Sequence, residues 1–307
     1  MAERVLVTGA SGFIGSHVAR RLVRDGAHVV ALVRPGSDLW RLADIAAEVD
    51  LVHGDLAHDD LPDPGPLDRV LHLAAAGVSD GAAPDVILAA NVLGTHRALE
   101  LARSSDAGAF LYCGSCFEYG PGERHREDVE LRPISTYGAS KSAGWLLTQA
   151  FARQHGLAVC SVRPFTVYGP CEAAARLVPS VCIAVAAGGA VELTRGAQTR
   201  DFVFIDDAVD AIVRAARAAP GEPLNVCSGA SVSVRRVAEE IAAVGNRPVE
   251  LRFGARPERA VEYPTLSGDP TRVREVLGWS ATTELQDGLR RTLEWFAERS
   301  PVVGAAR

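Results

Sequence analysis

The sequence predicts an α/β fold with a doubly wound parallel sheet and a smaller, mixed C-terminal region. In the first half, short β-branched and apolar runs alternate with longer stretches whose apolar residues recur every three or four positions. This alternation is typical of a parallel sheet covered by helices. A glycine-rich segment, Thr8–Gly15, separates the first such run from the first helical stretch. After Arg163 the alternation becomes less regular, which indicates a second region.

Each predicted strand in the first half is a short run rich in β-branched residues. These runs are Arg4–Thr8, His28–Val33, Asp50–His53, Arg69–Leu73, Phe110–Gly114 and Ala158–Arg163. Helices are predicted between them at Phe13–Asp25, Pro84–Arg103 and Tyr137–His155. The remaining predicted elements are helices at Arg176–Ala187, Asp206–Ala219, Val234–Val244, Thr271–Leu277 and Leu285–Glu298, and strands at Val191–Thr194 and Leu224–Cys227.

The composition excludes several classes of protein. A chain with 48% hydrophobic and 23% charged residues and a net charge of −6 is globular, and its scattered arginines argue against nucleic-acid binding. The longest uncharged stretch, Leu177–Val191, is shorter than the roughly 20 residues that cross a bilayer. We therefore expect no membrane partner. The absence of a signal-like N-terminus and the six cysteines favour a cytoplasmic protein with reduced thiols.

Cys113 and Cys116 form a C-x-x-C pair that could be a redox motif or half of a zinc site. No second Cys or His pair lies nearby, and Cys113 ends a run that reads as a buried strand. We therefore expect no metal site.

The segment Thr8–Gly15 reads T-G-A-S-G-F-I-G and has the context of a dinucleotide-binding loop. In such a loop the first glycine allows a tight turn, the second lets the backbone approach a pyrophosphate, and the third lets helix and strand pack closely. The free N–H groups of the following helix attract negative charge. An ordinary turn is the alternative. On the first interpretation this is a Rossmann fold, with cofactor contacts from Gly9, Ser11, Gly12, Phe13, Ile14 and Gly15.

The second predicted strand ends in Arg34, where an acidic residue would bind the ribose 2′-hydroxyl of NAD. A guanidinium suits a 2′-phosphate, so Arg34 favours NADP(H) and leaves NAD(H) possible. The alternative is that Arg34 only solvates a loop.

Tyr137 and Lys141 stand one helical turn apart, on the same face of a predicted helix. Lys141 is the single lysine among 32 basic residues. A nearby ammonium lowers the pKa of a phenol from about 10, so we expect Tyr137 to exchange protons near neutral pH. Ser115, at the carboxyl end of the fifth strand, could hydrogen-bond the same reacting oxygen, and an ordinary turn position is the alternative.

Together these residues resemble the extended short-chain dehydrogenase/reductases of the NAD-dependent epimerase/dehydratase family, which modify nucleotide sugars. Beyond the segments already described, the resemblance rests on motifs spread over nearly the whole chain. They are Gly54-Asp55-Leu56, Leu73-Ala74-Ala75-Ala76, Asn91 with Gly94-Thr95, Tyr119-Gly120, Arg163-Pro164-Phe165, Val167-Tyr168-Gly169-Pro170, Arg200-Asp201-Phe202-Val203 and Leu277-Gly278-Trp279.

The resemblance implies hydride transfer at a catalytic site formed by Ser115, Tyr137 and Lys141, with Asn91 supporting the helix and a proton-relay water. It implies a dinucleotide-binding part at 1–165 plus 202–229 and a nucleotide-sugar-binding part at 166–201 plus 230–307. Further implied cofactor contacts are Asp55, Leu56, Leu73, Ala74, Ala75, Asn91, Tyr137, Lys141 and Pro164. Implied substrate contacts are Ser115, Cys116, Phe117, Thr166 and, for the diphosphate, Arg200 and Arg256.

Departures from the family pattern narrow the expected reaction. Phe117 stands where dehydratases and decarboxylases of the family have an acid, and Cys116 where 4,6-dehydratases have an aspartate. Thr166 replaces an asparagine that many relatives place near the substrate. Arg259, in a segment that replaces R-P-G-D, could contact a phosphate or pair with Glu258.

These departures and Arg34 favour an NADP(H)-dependent reductase acting on the C4 ketone of a nucleotide-linked 4-keto-6-deoxyhexose, in deoxysugar biosynthesis. The alternatives are a nucleotide-sugar 4-epimerase with retained NAD and a non-catalytic dinucleotide sensor. The resemblance also implies a homodimer formed through the helices at Pro84–Arg103 and Tyr137–His155.

Overall fold

The computed structural model describes residues 2–58, 61–77, 81–258 and 261–303. Its strands are β1 Arg4–Thr8, β2 His28–Val33, β3 Val49–His53, β4 Arg69–His72, β5 Ala109–Cys113, β6 Gly122–His125, β7 Ala158–Pro164, β8 Thr166–Tyr168, β9 Ala190–Leu193, β10 Thr199–Arg200, β11 Phe202–Phe204, β12 Pro223–Val226, β13 Val232–Ser233, β14 Glu250–Phe253 and β15 Thr265–Gly268. Its α-helices are α1 Phe13–Arg24, α2 Pro84–Leu88, α3 Gly94–Ser104, α4 Thr136–His155, α5 Leu177–Ala187, α6 Ile205–Ala218, α7 Val234–Val244, α8 Thr271–Leu277 and α9 Leu285–Val303.

The main sheet has seven parallel strands in the order β12-β7-β5-β4-β1-β2-β3. Its two faces follow the period-two alternation of strand side chains. Val5 and Val7 of β1 belong to a core cluster that includes residues of α1 and α6. Leu6, between them, belongs to a second cluster with residues of α3 and α4. Helices therefore cover both faces, which confirms the predicted doubly wound α/β class.

The C-terminal half adds small sheets and a helical layer. Strands β13, β10, β15 and β6 form one small sheet, and β8 pairs with β11 and β9 with β14. Helices α5, α7 and α9 pack against one another. Of these strands, only β9 was predicted; the others have two to four residues, and such short runs carry little periodicity. No helix of the described ranges is long and apolar enough to cross a bilayer.

The predicted helix Pro84–Arg103 is wrong as a single helix. The chain forms α2, then a π-helical turn at Ala89–Leu93, then α3. The wider turn places the Asn91 side chain in the interior, where it binds backbone and side-chain groups of other segments. The other predicted elements end within one residue of the observed positions, except α9, which continues to Val303.

A fully buried ion pair joins the ends of β5 and β7. The Arg163 Nε atom lies 2.9 Å from Glu118 Oε2, and the two side chains are 2% and 0% exposed. The other oxygen of Glu118 accepts the backbone N–H of Ser115 at 2.7 Å. Arg163 also donates to the Tyr119 hydroxyl at 2.8 Å, which in turn donates to Asn225 of β12 at 2.7 Å. The pair thus fixes three strand ends at one edge of the sheet.

Replacing Glu118 by Gln should destabilise the protein strongly, because the Arg163 guanidinium would stay buried without a countercharge. Breaking a buried pair from one side typically costs about 3–5 kcal/mol, measurable as a lower free energy of unfolding in urea. The control is Glu130→Gln, which removes an ion pair with Arg132 whose side chains are both largely exposed. Equal effects of the two substitutions would contradict the role given to the buried pair.

Candidate active site

The loop after β1 has the backbone geometry of a phosphate-binding turn. Gly9 has φ +69°, and a Cβ there would lie 2.7 Å from the backbone nitrogen of Ala74. A Cβ on Gly15 would lie 2.1 Å from the carbonyl oxygen of Gly9, so only glycine fits at either position. Gly12 is the N-cap of α1, and no side chain caps that N-terminus in the described structure. The N–H groups of the first turn, from Phe13 onward, are therefore available to an anion such as a diphosphate.

Arg34 and Asp55, two of the predicted cofactor contacts, follow strands that pair with each other. Val33 of β2 is the register partner of His53 of β3, and Arg34 and Asp55 come just after them. Arg34 is exposed, and Asp55 is half-buried and accepts the backbone N–H of Ala57 at 2.9 Å.

The remaining predicted cofactor positions surround the same edge of the sheet. Leu73 and Ala74 donate their N–H groups to the Thr8 hydroxyl at 3.1 and 3.2 Å, directly before the glycine loop. Ala75 and Ser11 come in the adjoining turns. The buried Leu56 follows β3, and the buried Pro164 ends β7.

Ser115 caps a short 3₁₀ turn, Cys116–Glu118, directly after β5. Its Oγ accepts the N–H of Phe117 at 3.3 Å, while the Glu118 carboxylate accepts the N–H of Ser115 itself. This reciprocal arrangement is a capping box. The S-x-x-E spacing was therefore a sequence signal for Glu118 that the sequence analysis missed.

The first turn of α4 brings Tyr137 to this serine. Ser135 caps the helix by accepting the N–H of Gly138 at 3.1 Å. A Cβ on Gly138 would lie 2.3 Å from the carbonyl oxygen of Phe117, so α4 and the Ser115 turn are in direct backbone contact. The Ser115 side chain is close enough to Tyr137 to lower the pKa of the phenol.

The expected lowering of the Tyr137 pKa is wrong for this structure. Burial raises the pKa of Tyr137 above its ordinary value, and the neighbouring Cys113 thiol adds to the rise. The Ser115 side chain only opposes this shift. The phenol is therefore held in its protonated form at neutral pH.

Lys141 is 2% exposed, and its ammonium lies 4.6 Å from the centre of the Tyr112 ring. The Tyr112 hydroxyl donates to the Lys141 carbonyl at 2.9 Å, which fixes the ring against the helix. Burial lowers the pKa of Lys141. Among the described side chains no carboxylate forms an ion pair with this ammonium, and the charges of Cys113 and Glu118 only oppose the effect of burial.

An aromatic row borders the site on its other side. The Phe117 ring lies 6.0 Å from that of Tyr137 and 4.8 Å from that of Tyr263, edge to face in both cases. Tyr263, which the sequence analysis missed, also lies within hydrogen-bond distance of Ser135, 3.2 Å between hydroxyls. Cys116 is buried in the same cluster. The C-terminal region thus reaches the first turn of α4.

The predicted diphosphate ligands differ in their surroundings. Arg200 forms an ion pair with Glu262 and donates to the Tyr263 carbonyl at 2.6 Å. Arg256 is exposed, and Thr166 is half-buried. Arg259 lies outside the described residues.

Cys113 and Cys116 are free, buried thiols. No cluster of potential metal ligands occurs in the part of the chain that the structure describes.

The sequence is similar to those of known proteins over nearly its whole length. The profile of the NAD-dependent epimerase/dehydratase family matches residues 5–227. A UDP-glucose 4-epimerase of Mycolicibacterium smegmatis is 34% identical over 97% of this chain and 99% of its own. A dTDP-4-dehydro-6-deoxy-D-allose reductase of Streptomyces bikiniensis is 32% identical over 95% of both chains.

The fold is also similar to solved structures. One is the dTDP-glucose 4,6-dehydratase of Streptomyces venezuelae with NAD bound, with a TM-score of 0.88, 27% identity, and coverage of 97% of this chain and 98% of the other. Sequence, fold and site agree: the chain belongs to the NAD-dependent epimerase/dehydratase family.

Proposed function

We propose that the protein reduces the C4 ketone of a nucleotide-linked 4-keto-6-deoxyhexose, using NADPH. The observation that carries this proposal is the composition of the turn beside Tyr137. Cys116 and Phe117 occupy the positions of the family's additional acids, and the nearby carboxylate, Glu118, is buried in its pair with Arg163. The described turn therefore offers proton donors for a ketone and no free carboxylate for dehydration.

The residues that would hold a dinucleotide fit it, because the glycine loop leaves space where side chains would clash and presents uncapped N–H groups. When bound, the reduced nicotinamide supplies the hydride. Tyr137 gives its proton to the carbonyl oxygen, and its raised pKa keeps that proton in place at neutral pH. Ser115 hydrogen-bonds the same oxygen. Lys141 holds the ribose and stabilises the phenolate that remains.

The substrate would be held by the second part of the chain, 166–201 with 230–307, and the dinucleotide by 1–165 with 202–229. Arg200 and Arg256 bind the diphosphate, a role that suits guanidinium groups. The Glu262 carboxylate holds Arg200 beside the buried cluster that contains Cys116 and Tyr263. Thr166, Cys116 and Phe117 contact the sugar.

A 4-epimerase with retained NAD is the second candidate. It is supported by the similarity to the Mycolicibacterium smegmatis 4-epimerase and by the NAD in the Streptomyces venezuelae structure. Such an enzyme would use the same serine, tyrosine and lysine without a further acid. A non-catalytic sensor is disfavoured because the serine, the tyrosine and the lysine are all present, and the helix that carries Tyr137 and Lys141 packs against the turn that follows Ser115.

A thermal-shift panel of dTDP-, UDP-, GDP- and CDP-sugars with NADP and NAD identifies which sugar nucleotide and which dinucleotide the protein binds.

We expect the purified protein to consume NADPH with an NDP-4-keto-6-deoxy sugar. Interconversion of UDP-glucose and UDP-galactose without added cofactor, by protein that retains NAD, would overturn the reductase proposal.

Tyr137→Phe should lower kcat by about 10²- to 10⁴-fold, because the proton donor is removed. Lys141→Arg keeps the charge, but the larger planar guanidinium does not fit the space beside Tyr112, so kcat should fall at least about tenfold. Arg153→Lys, at an exposed position of the same helix, is the matched control and should leave turnover unchanged. Full activity of Tyr137→Phe would exclude the proposed chemistry.

Arg34→Ala should weaken NADPH binding by about 10-fold or more and leave NADH binding unchanged, because a charge-assisted hydrogen bond to the 2′-phosphate is lost. Isothermal titration calorimetry measures both dissociation constants. The control is Arg24→Ala, an exposed residue at the C-terminal end of α1, far along the helix from the glycine loop. If wild type binds NADH more tightly than NADPH and Arg34→Ala keeps that ratio, Arg34 does not select the cofactor.

We also propose a homodimer formed through α2, α3 and α4. Large apolar side chains are exposed on α2, on α4 and in the turn between α2 and α3, with Leu93 53% and Leu146 61% exposed. A second copy of the chain would bury them. Light scattering should show a dimer for wild type and a monomer for Leu146→Glu. Val276→Glu, at another exposed apolar position on α8, should stay dimeric. A monomeric wild type would refute the proposal.

A further inference from the structure

A continuous chain of hydrogen bonds crosses the interior from the end of β1 to the first turn of α4. Its side chains belong to four separate segments, and each is at most 1% exposed. In order they are Thr8, His72, Thr95, Asn91 and Ser140. Thr8, His72 and Thr95 have no part in the proposed transfer of hydride and proton.

The first link lies directly before the glycine loop. Thr8 Oγ1 accepts the N–H groups of Leu73 and Ala74 and lies 2.8 Å from His72 Nδ1. Since the two N–H groups already donate to this oxygen, its own proton is the one that points to Nδ1. The imidazole therefore carries its proton on Nε2.

The second link reaches the π-helical turn. His72 Nε2 lies 3.1 Å from Thr95 Oγ1, and Thr95 donates to the Asn91 carbonyl at 2.6 Å. With Nε2 as donor, the hydroxyl of Thr95 accepts one hydrogen bond and gives one. Each of these hydrogen bonds therefore has one defined donor and one defined acceptor.

The last link reaches the catalytic tyrosine. The Asn91 amide exchanges two hydrogen bonds with the Ala76 backbone, at 2.8 and 2.9 Å, and donates to Ser140 Oγ at 2.9 Å. Ser140 in turn donates to the Tyr137 carbonyl at 2.8 Å. Asn91 thus supports α4 as expected, whereas its proton-relay water stays a prediction.

Histidine suits the central position because a neutral imidazole is at once a donor and an acceptor. Burial and the nearby Lys141 ammonium lower the pKa of His72 to about 3, so the ring stays neutral. An imidazolium would be a donor on both sides and would lose the hydrogen bond from Thr8.

We propose that His72 and Thr95 are positioning residues that fix the glycine loop and Tyr137 relative to each other. The proposal rests on the proposed function, in which hydride and proton must reach one carbonyl from these two places. A displacement of about 1 Å between such groups can cost about 100-fold in rate. Loss of a link should therefore reduce kcat more than dinucleotide affinity.

Two threonines of the protein provide a test variant and a matched control. Thr95→Val and Thr292→Val each replace a fully buried threonine that hydrogen-bonds the carbonyl four residues earlier, at 2.6 and 2.7 Å. Only Thr95 also accepts from His72; Thr292 lies in α9. His72→Phe is a third variant, and its folding is checked by circular dichroism.

The first readout is steady-state kinetics with NADPH and the sugar that the ligand panel identifies. We expect Thr95→Val to lower kcat by about 10- to 100-fold, with little change in the dissociation constant of NADPH. Thr292→Val should lower only the melting temperature.

The second readout needs no sugar. Protein with ¹³Cζ-labelled tyrosine gives five signals, one per tyrosine, and Tyr137→Phe assigns that of Tyr137. In the complex with NADP⁺, the Tyr137 signal should shift in Thr95→Val and His72→Phe and stay in place in Thr292→Val. Equal spectra and equal kcat for the two threonine variants would overturn the proposal. If wild type reduces no sugar, the proposed function fails, and the NMR comparison still decides this inference.

Discussion

The buried ion pair between Glu118 and Arg163 is the interaction on which the site depends. The two charges have essentially no exposure, and each is stabilised there by its partner and by further hydrogen bonds, Arg163 with the Tyr119 hydroxyl and Glu118 with the backbone of Ser115. One carboxylate oxygen neutralises Arg163, and the other orients the backbone of Ser115. The structural role of this carboxylate also removes it from chemistry, so the same contact both builds the site and restricts its reactions.

At two places the backbones of neighbouring segments are in direct contact, with no side chain between them. Gly138 allows α4 to touch the turn after Ser115, and Gly9 allows the phosphate loop to touch the end of β4. At both places an added Cβ would overlap backbone atoms. The glycines therefore allow the close backbone approaches of the glycine loop and of α4, and we propose that the buried hydrogen bonds through His72 keep the loop and Tyr137 in register.

Much of this could be predicted from sequence, because the main sheet and the Ser115, Tyr137 and Lys141 positions rest on local periodicity and spacing. Lys141 stood out as the single lysine, and it proves to be a buried ammonium beside an aromatic face. What escaped prediction depends on contacts between distant segments. Glu118 and Arg163 are 45 positions apart, the break at Asn91 follows from bonds to Ala76 and Ser140, and the raised Tyr137 pKa follows from burial.

The fate of the transferred hydride tests directly whether the protein reduces the C4 ketone with NADPH. NADPH carrying deuterium at C4 of the nicotinamide, in each of its two stereoisomers, is incubated with the NDP-4-keto-6-deoxy sugar, and the product is analysed by mass spectrometry and NMR. If the protein is this reductase, one of the two deuterated NADPH stereoisomers places one deuterium at C4 of the sugar for each NADPH oxidised. A C4-epimerised sugar without deuterium, formed while the added NADPH stays unchanged, would contradict it.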